Sequence, residues 1–476
     1  MRRAAAAKRE RENKTMQQQA QAPGTELGQG SVGKLLFRLA LPAITAQLIN
    51  VLYNMVDRMY IGHIPGIGAA ALTGMGVAMP VIMVISAFAA LVSMGGAPRA
   101  SIMMGRGDNE AAEVILGNCT SMMLGLGVVL TGVFVAFGRP ILMLFGASEN
   151  TIGYAWDYLR IYALGSVFVL LALGLNAFIN AQGYARMGMY TVLIGAVCNI
   201  VLDPIFIFVF DMGVQGAAWA TILSQAVSCA WVLAFLRGKN SFLRLRARNL
   251  RPQLRVILPC LALGVSPFIM QLTESAITVC FNTSLLKYGG DMAVGAMTVL
   301  ASVMQFSMLP MVGLTQGSQP IVSYNYGARN AERVSRAFKL LLTCSLVYSA
   351  SMWALCMAAP QVLVYIFVDD AALAAYTQWC LRLYMCGTLF FGAQLACQQT
   401  FIALGKAGMS VFLALLRKVL LLIPLVYALP LIFTENQVAS VLLAEPVADL
   451  TAVTITVSCF AFSFRRMLRA LRQPQE

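Results

Sequence analysis

Tyr158-Leu-Arg-Ile-Tyr-Ala-Leu-Gly165 and Cys380-Leu-Arg-Leu-Tyr-Met-Cys-Gly387 are one phrase written twice, with starting points 222 residues apart. The same spacing relates Ala181-Gln-Gly183 to Ala403-Leu-Gly405 and Gly105-Arg-Gly-Asp108 to Gly327-Ala-Arg-Asn330. Pro204 and Pro424 follow at a spacing of 220. Ordered agreements at a nearly constant offset mark an internal duplication. The fold is therefore expected to be two copies of one unit.

The apolar runs say what the unit is made of. Of 476 residues, 59% are hydrophobic and 11% charged, against about 25% charged in soluble domains. Leu124–Phe137, Val167–Leu175 and Val419–Phe433 are continuous runs. A helix crosses a bilayer in roughly 20 mostly apolar residues, and its backbone groups must be satisfied within the segment. Unbroken runs exclude a membrane β-barrel, whose strands alternate. Windows between turn and charge clusters predict twelve spans, at 35–60, 70–95, 113–137, 156–181, 189–211, 214–236, 256–281, 292–317, 335–358, 378–403, 409–433 and 438–462. The expected class is an all-α membrane protein of twelve transmembrane helices in two pseudo-symmetric six-helix lobes. Its parts are a disordered basic tail (1–30), a first lobe (31–236), a basic linker (237–255) and a second lobe (256–470). Six spans per copy bring both repeats in from the same side. Transporters with such parallel repeats bind substrate between the halves and rock them for alternating access.

The net charge of +14 is distributed in a way that argues against nucleic acid as its partner. The tails and even-numbered connections hold 27 of the 34 lysines and arginines, including the cluster Arg237, Lys239, Arg244, Arg246, Arg248, Arg251 and Arg255. The odd-numbered loops hold only Arg139, Arg160, Lys287 and Arg382. This is the positive-inside pattern, and it predicts a multi-pass protein of the inner (plasma) membrane with both termini and the linker in the cytoplasm. Residues 1–30 show neither an apolar run nor a cleavage site, so no signal peptide is read there. The eleven cysteines form no C-x-x-C pair and read as small packing residues. The single histidine, His63, stands at the end of the first span, and no G-x-S-x-G, H-E-x-x-H or Walker string occurs. A transporter is therefore expected rather than an enzyme, driven by an ion gradient rather than directly by ATP. Each charge moved through 100 mV supplies about 2.3 kcal/mol.

Ionisable residues within spans are the candidate site, because each costs about 2.5–3.5 kcal/mol at mid-membrane on insertion scales. Asp57 lies in the first span, fifteen residues after Pro42, with Arg58 next to it. A surface position beside Arg58 is its plain alternative. Asn199 and Asp203 in the fifth span are four apart and share a helical face. Pro204 follows, and a proline frees a backbone carbonyl that can join side-chain oxygens around a small cation. Thr221 in the sixth span can complete such a group. Two carboxylates brought together take a proton more readily than one, since like charges resist sharing a site. Hard oxygen ligands suit Na⁺ equally. The expected coupling ion at Asp57, Asn199, Asp203 and Thr221 is thus H⁺ or Na⁺, with no other cofactor. A helix-end position is the alternative for Asp203.

In the second half, Glu274, Arg417, Lys418, Glu445 and Asp449 stand out. Glu445 and Asp449 share a face at i, i+4, and intramembrane charges usually pair. An Arg417–Glu445/Asp449 network is expected, mainly structural, with direct substrate contact as the alternative. A later start to the twelfth span would leave Glu445 at the interface. Glu274 is open between substrate and coupling contact. The abundant methionines, such as Met75, Met79, Met83, Met304, Met308 and Met311, suit an adaptable cavity for large organic ligands, though most are expected to be packing.

With Leu39-Ala-Leu-Pro42, Tyr53-Asn-Met-Val-Asp57, Asn199-Ile-Val-Leu-Asp203-Pro204, the Gly-Ala-Arg-Asn-Ala-Glu stretch from Gly327 and Ala444-Glu445-Pro446 in this order, the chain resembles the multidrug and toxic compound extrusion (MATE) family over residues 31–470. The Ala444-Glu445-Pro446 string is similar to its bacterial drug-pump branch. The resemblance implies two lobes around a V-shaped cleft and export of drugs and other small organic cations by antiport against H⁺ or Na⁺. It matches Asp57 to the first-span aspartate, and Asn199, Asp203 and Thr221 to the amino-lobe cation site. Pro42 matches a first-span proline associated with bending, and Glu274 an acid of the seventh span in one branch. That branch also has an aspartate in the tenth span, where this chain offers only Gln394, Gln398 and Gln399, so coupling is expected in the first lobe. A dedicated metabolite exporter or a lipid-linked saccharide flippase is the alternative. Membrane lipid is the expected surrounding, and a monomer the expected state.

Overall fold

The computed structural model describes residues 26–367 and 370–473. Residues 1–25, most of the expected disordered tail, lie outside the described residues. All regular structure among the described residues is helical. In the first lobe α1 (Val32–Gly62), α2 (Gly68–Gly105) and α3 (Asn109–Leu144) are single spans. The fourth span is a pair, α4 (Ile152–Leu164) and α5 (Ser166–Ala181), bent by 60°. The fifth is α6 (Ala185–Pro204) with a π-helical turn, Ile205–Val209, and the sixth is α7 (Gly213–Arg237). The second lobe opens with the 74-residue α8 (Leu254–Gly327). Then come α9 (Ala331–Ala358), the short α10 (Pro360–Val364), α11 (Ala371–Met385), α12 (Phe391–Ala403), α13 (Ala407–Leu415), α14 (Ile423–Ile432) and α15 (Gln437–Arg472). A 3₁₀ turn joins α11 to α12, and a π-helical turn, Leu416–Leu422, joins α13 to α14.

Among the described residues ten helices, α11–α12 and α13–α14 each taken as one, are long and apolar enough to cross a membrane, and the bent fourth span is an eleventh. The twelfth comes from α8, which Gly290 divides with φ 64° and ψ −161°. Glycine enters that left-handed region without the steric cost a side chain brings, so the chain reverses there between the seventh and eighth spans.

The duplication is visible element by element. Helix ends at Gly105 and Gly327, and at Ala181 and Ala403, stand 222 apart, as do helix starts at Asn109 and Ala331 and at Ala185 and Ala407. The caps repeat too. Asp108 Oδ1 accepts from the Ala111 amide at 2.9 Å, and Asn330 Oδ1 from the Arg333 amide at 3.1 Å, each satisfying a free donor of the first turn.

The lobes touch through glycines. A Cβ on Gly105 would overlap the Tyr324 carbonyl, and one on Gly327 the Ile102 carbonyl. Positions 102 and 324 are themselves one repeat apart, so the contact is reciprocal. Gly95 and Gly264 press on Cys260 and Leu91 across the same seam, and Gly313 and Gly317 on Ile44 and Ala40 of α1. These positions lie toward the face that carries the basic connections. Toward the other face, Gly289 and Gly295 meet only residues of their own lobe, and Gly76 meets nothing. The lobes are thus joined on the basic face and part toward the opposite one.

Two connecting segments are more firmly held than their composition suggests. In the linker, Arg246 pairs with Glu113 at 2.8 Å, the Leu243 amide donates to Gln182 Oε1 at 2.8 Å, and the Gln253 amide donates to Asn118 Oδ1 at 2.6 Å. The linker is packed on the first lobe rather than left as a free tether. Residues 26–30, assigned above to the tail, fold against the second lobe. Arg333 donates to the carbonyls of Leu27, Gln29 and Gly30 at 3.2, 2.9 and 2.7 Å, and Leu27 is buried. One guanidinium offers several donors, enough to tie down a turn with no apolar run of its own.

Candidate functional site

In the first lobe, α6 presents Asn199 and Asp203 on one face. Asn199 Nδ2 donates to Asp203 Oδ1 at 3.1 Å and reaches Thr221 Oγ1 on α7 at 3.5 Å. The Thr221 hydroxyl donates to the Ala217 carbonyl at 2.9 Å, which leaves its oxygen to accept from Asn199 and from the Tyr158 hydroxyl on α4, 3.4 Å away. Asp57 of α1 lies beside Asp203, so two carboxyls from different spans are neighbours. Asp57 is buried while its neighbour Arg58 is exposed, so the carboxyl points into the lobe and the guanidinium away. Asp203 is fully buried, well inside the end of the fifth span. Pro42 sits within α1 without ending it. Pro204 has no N–H for the Ile200 carbonyl, and the π-helical turn begins immediately after it.

Asp57 Oδ1, Asn199 Oδ1 and Asp203 Oδ2 are buried without a hydrogen-bond partner. Each such atom is costly to leave unpaired, and all three are acceptors. The group offers oxygen lone pairs to which no donor is directed, which fits a proton or a small hard cation. A cavity of about 50 Å³, bordered by Asn50, Tyr53, Asn199 and Thr221, leads up to it. A larger cavity of about 210 Å³ lies between the lobes, with Gln47, Gln271, Gln316 and Gln319 in its wall. Asn50 and Asn176 line both cavities, so the two adjoin. Gln47 Nε2 donates across the lobes to Gln316 Oε1 at 3.3 Å.

The second lobe holds its charges differently. Arg417 Nε donates to Asp449 Oδ1 at 2.6 Å and Nη2 to Glu445 Oε1 at 3.1 Å, and the guanidinium lies 4.6 Å from the Phe391 ring centre. All three charged groups are buried. α15 begins at Gln437, so Glu445 is two turns inside the helix, away from the interface. Lys418 Nζ donates to Glu274 Oε2 at 3.0 Å, with side-chain exposures of 9% for the lysine and 61% for the glutamate. Glu274 is one turn along from Gln271, which lines the central cavity. Gln394 and Gln398 of the tenth span are buried, and Gln398 Nε2 contacts Met270 Sδ at 3.2 Å. Met75 and Met311 are core residues, while Met83 is exposed.

One member escaped the sequence reading: Tyr158 opens the repeated phrase, and its hydroxyl was the signal available. Lys418 was singled out as a charge, but its pairing with Glu274, 144 residues away, was not read. The π-helical turn also turns both neighbours, Arg417 and Lys418, inward, which ordinary helical spacing does not predict.

Two six-span lobes, a polar cavity between them and ionisable groups buried in each make a membrane transporter rather than an enzyme. The MatE family pattern matches residues 42–205 and 267–428, one segment in each lobe, and the chain belongs to that family. It is 26% identical over 434 residues to the multidrug export protein MepA of Staphylococcus haemolyticus strain JCSC1435, covering 90% of this chain and 94% of that protein. Among solved structures, the MATE multidrug transporter DinF-BH, solved as a ligand complex, is 34% identical, with a TM-score of 0.84 over 91% of this chain and 96% of that one. A MATE protein in the bent conformation shares the fold at a TM-score of 0.88 and 22% identity, over 94% and 99% of the two chains.

Proposed function

We propose that this protein exports drugs and other small, mainly cationic organic compounds in exchange for H⁺ or Na⁺, the exchanged ion being held by Asp57, Asn199, Asp203 and Thr221. The observation that carries the reading is the meeting of Asp57 and Asp203, from different spans, among three buried oxygens that have no donor. Two bare carboxylates in contact repel each other, and water is scarce around them. A proton or Na⁺ entering through the small cavity neutralises the pair and lets α1 and α6 close on it. Emptying the site restores the repulsion. The lobes then have two stable arrangements whose balance depends on ion occupancy, which an alternating-access antiporter requires.

The names of relatives support the cargo: MepA is a multidrug export protein, and DinF-BH is a multidrug transporter solved with a ligand in place. The central cavity fits this use, since its amide side chains hold varied ligands without demanding one charge pattern. On the positive-inside rule the basic face is cytoplasmic, in the inner membrane, with both termini on that side. This arrangement of the lobes is then closed to the cytoplasm and receives its ion from outside. The reading needs only one chain.

The test is efflux of ethidium or a rhodamine dye from proteoliposomes under an imposed Na⁺ or H⁺ gradient, for the wild type and Asp57→Asn. Efflux driven by one gradient and lost in the variant is expected. Well-folded wild-type protein that moves neither dye under either gradient overturns drug export and favours a dedicated metabolite exporter or a lipid-linked saccharide flippase.

A further inference from the structure

On the basic face, where the lobes meet, a recess of about 1220 Å³ opens between the end of α2 and the second lobe. Four cations line it: Arg106 after α2, Arg329 after α8, Lys406 before α13 and Arg466 on α15. Among the described residues no carboxylate lines it. Arg329 Nη2 donates to the carbonyls of Ala470 and Gln473 at 3.2 and 3.0 Å, which fixes one wall by capping the end of α15. Arg106, Lys406 and Arg466 are exposed and form no ion pair among the described residues. Met409, Met467 and Leu471 add apolar lining.

The positive-inside rule accounts for basic residues on this face but not for their gathering around one apolar-lined recess. Cations beside apolar lining, at the level where spans end, suit an anionic amphiphile better than a free ion. We propose that the recess binds the phosphate headgroup of an anionic lipid of the adjoining leaflet. Arg106 comes from the first lobe and the other three cations from the second. The headgroup therefore bridges the seam that the reciprocal Gly105 and Gly327 contacts close, and it binds best when the lobes are joined on this face.

The test is thermal unfolding of the detergent-purified full chain titrated with dioctanoyl phosphatidylglycerol, dioctanoyl phosphatidylcholine or inorganic phosphate. A saturable rise in Tm with phosphatidylglycerol alone is expected. Arg106→Gln, Lys406→Gln and Arg466→Gln should each raise the half-saturating concentration about fivefold, the scale of one basic side chain at an anionic surface. A control triple variant, Arg186→Gln with Arg465→Gln and Arg469→Gln, removes three cations that do not line the recess and should leave it unchanged. Since all six side chains named for substitution are charged and lie at span ends, an unshifted Tm without lipid verifies folding. An equal response to phosphatidylcholine overturns the proposal, as does a response reproduced by inorganic phosphate. An equal loss in the control triple reduces the effect to bulk charge and also overturns it, and an unaffected Arg106→Gln removes the bridge.

Discussion

In the second lobe Arg417 lies between Asp449 and Glu445 at 2.6 and 3.1 Å; in the first lobe Asp203 meets Asp57 and Asn199, and no cationic side chain joins them among the described residues. The fifth and sixth spans of each copy contribute to both groups, and in the first lobe the first span adds Asp57. A carboxylate buried in a membrane protein needs a positive partner. The second lobe supplies its own, fixed by two hydrogen bonds and an aromatic face. The first leaves three acceptor oxygens unsatisfied, and on the proposed reading it takes its cation from solution. Duplication thus yields one lobe whose buried carboxylates share a built-in cation and, on that reading, one whose carboxylates gain a cation only when loaded. On the proposed reading, this contrast decides which half does the coupling.

The sharpest way to break the contrast is Arg417→Ala. Removing the guanidinium strands two buried carboxylates, and a loss of about 3–5 kcal/mol is expected, read as a lower unfolding temperature of the purified protein. Arg417→Lys should recover only part of it, because a point charge cannot serve two carboxylates as the planar fork does. An Arg417→Ala protein as stable as the wild type would mean that the second lobe is not held by this network. Asp57→Asn should behave in the opposite way. Gradient-driven efflux should fall at least about a hundredfold, some 2.8 kcal/mol, while stability changes by less than about 1 kcal/mol, since an uncharged amide relieves the repulsion at Asp203. An Asp57→Asn protein that loses several kcal/mol of stability yet still transports would exchange the roles of the two lobes.

The legibility of these two groups in the sequence differed for physical reasons. Hydropathy and the 222-residue offset are carried by every span, so the twelve helices and the two lobes could be read, down to the break between the seventh and eighth spans. The Asn199–Asp203 pair was legible because four residues make one turn. The approach of Asp57 to Asp203 joins spans 146 residues apart; the scarcity of carboxylates within first-lobe spans suggested the pair, and the family resemblance supported it, but no spacing in the sequence brings them together. The inward turn of Lys418 depends on a π-helical turn, which no apolar period announces. The hold of Arg333 on residues 26–30 was invisible because those residues carry no hydrophobic run, and backbone carbonyls leave no trace in composition.

Smaller effects sharpen the comparison at its rims. In the Lys418–Glu274 pair the lysine is enclosed and the glutamate open, so the two deletions should not cost the same. Glu274→Gln leaves an enclosed ammonium without its partner and should cost on the order of 1–3 kcal/mol. Lys418→Met leaves a carboxylate that water can reach and should cost about 0–1 kcal/mol. Equal losses in unfolding measurements would show that Glu274 is not open to the cleft.

Thr221 gives the finest test, because its hydroxyl is the site's one uncharged oxygen from the sixth span. If it serves as a ligand, Thr221→Val removes an acceptor of similar shape and should weaken the apparent affinity for the coupling ion by two- to tenfold, the range of about 0.5–1.5 kcal/mol for one hydrogen bond. Thr221→Ser should restore it, since it returns the oxygen without the methyl. If instead Thr221 only anchors Tyr158 and Asn199, both variants should leave ion affinity alone and alter stability. Measuring efflux against external ion concentration for the two variants separates these outcomes, and with them whether α7 takes part in coupling or only frames it.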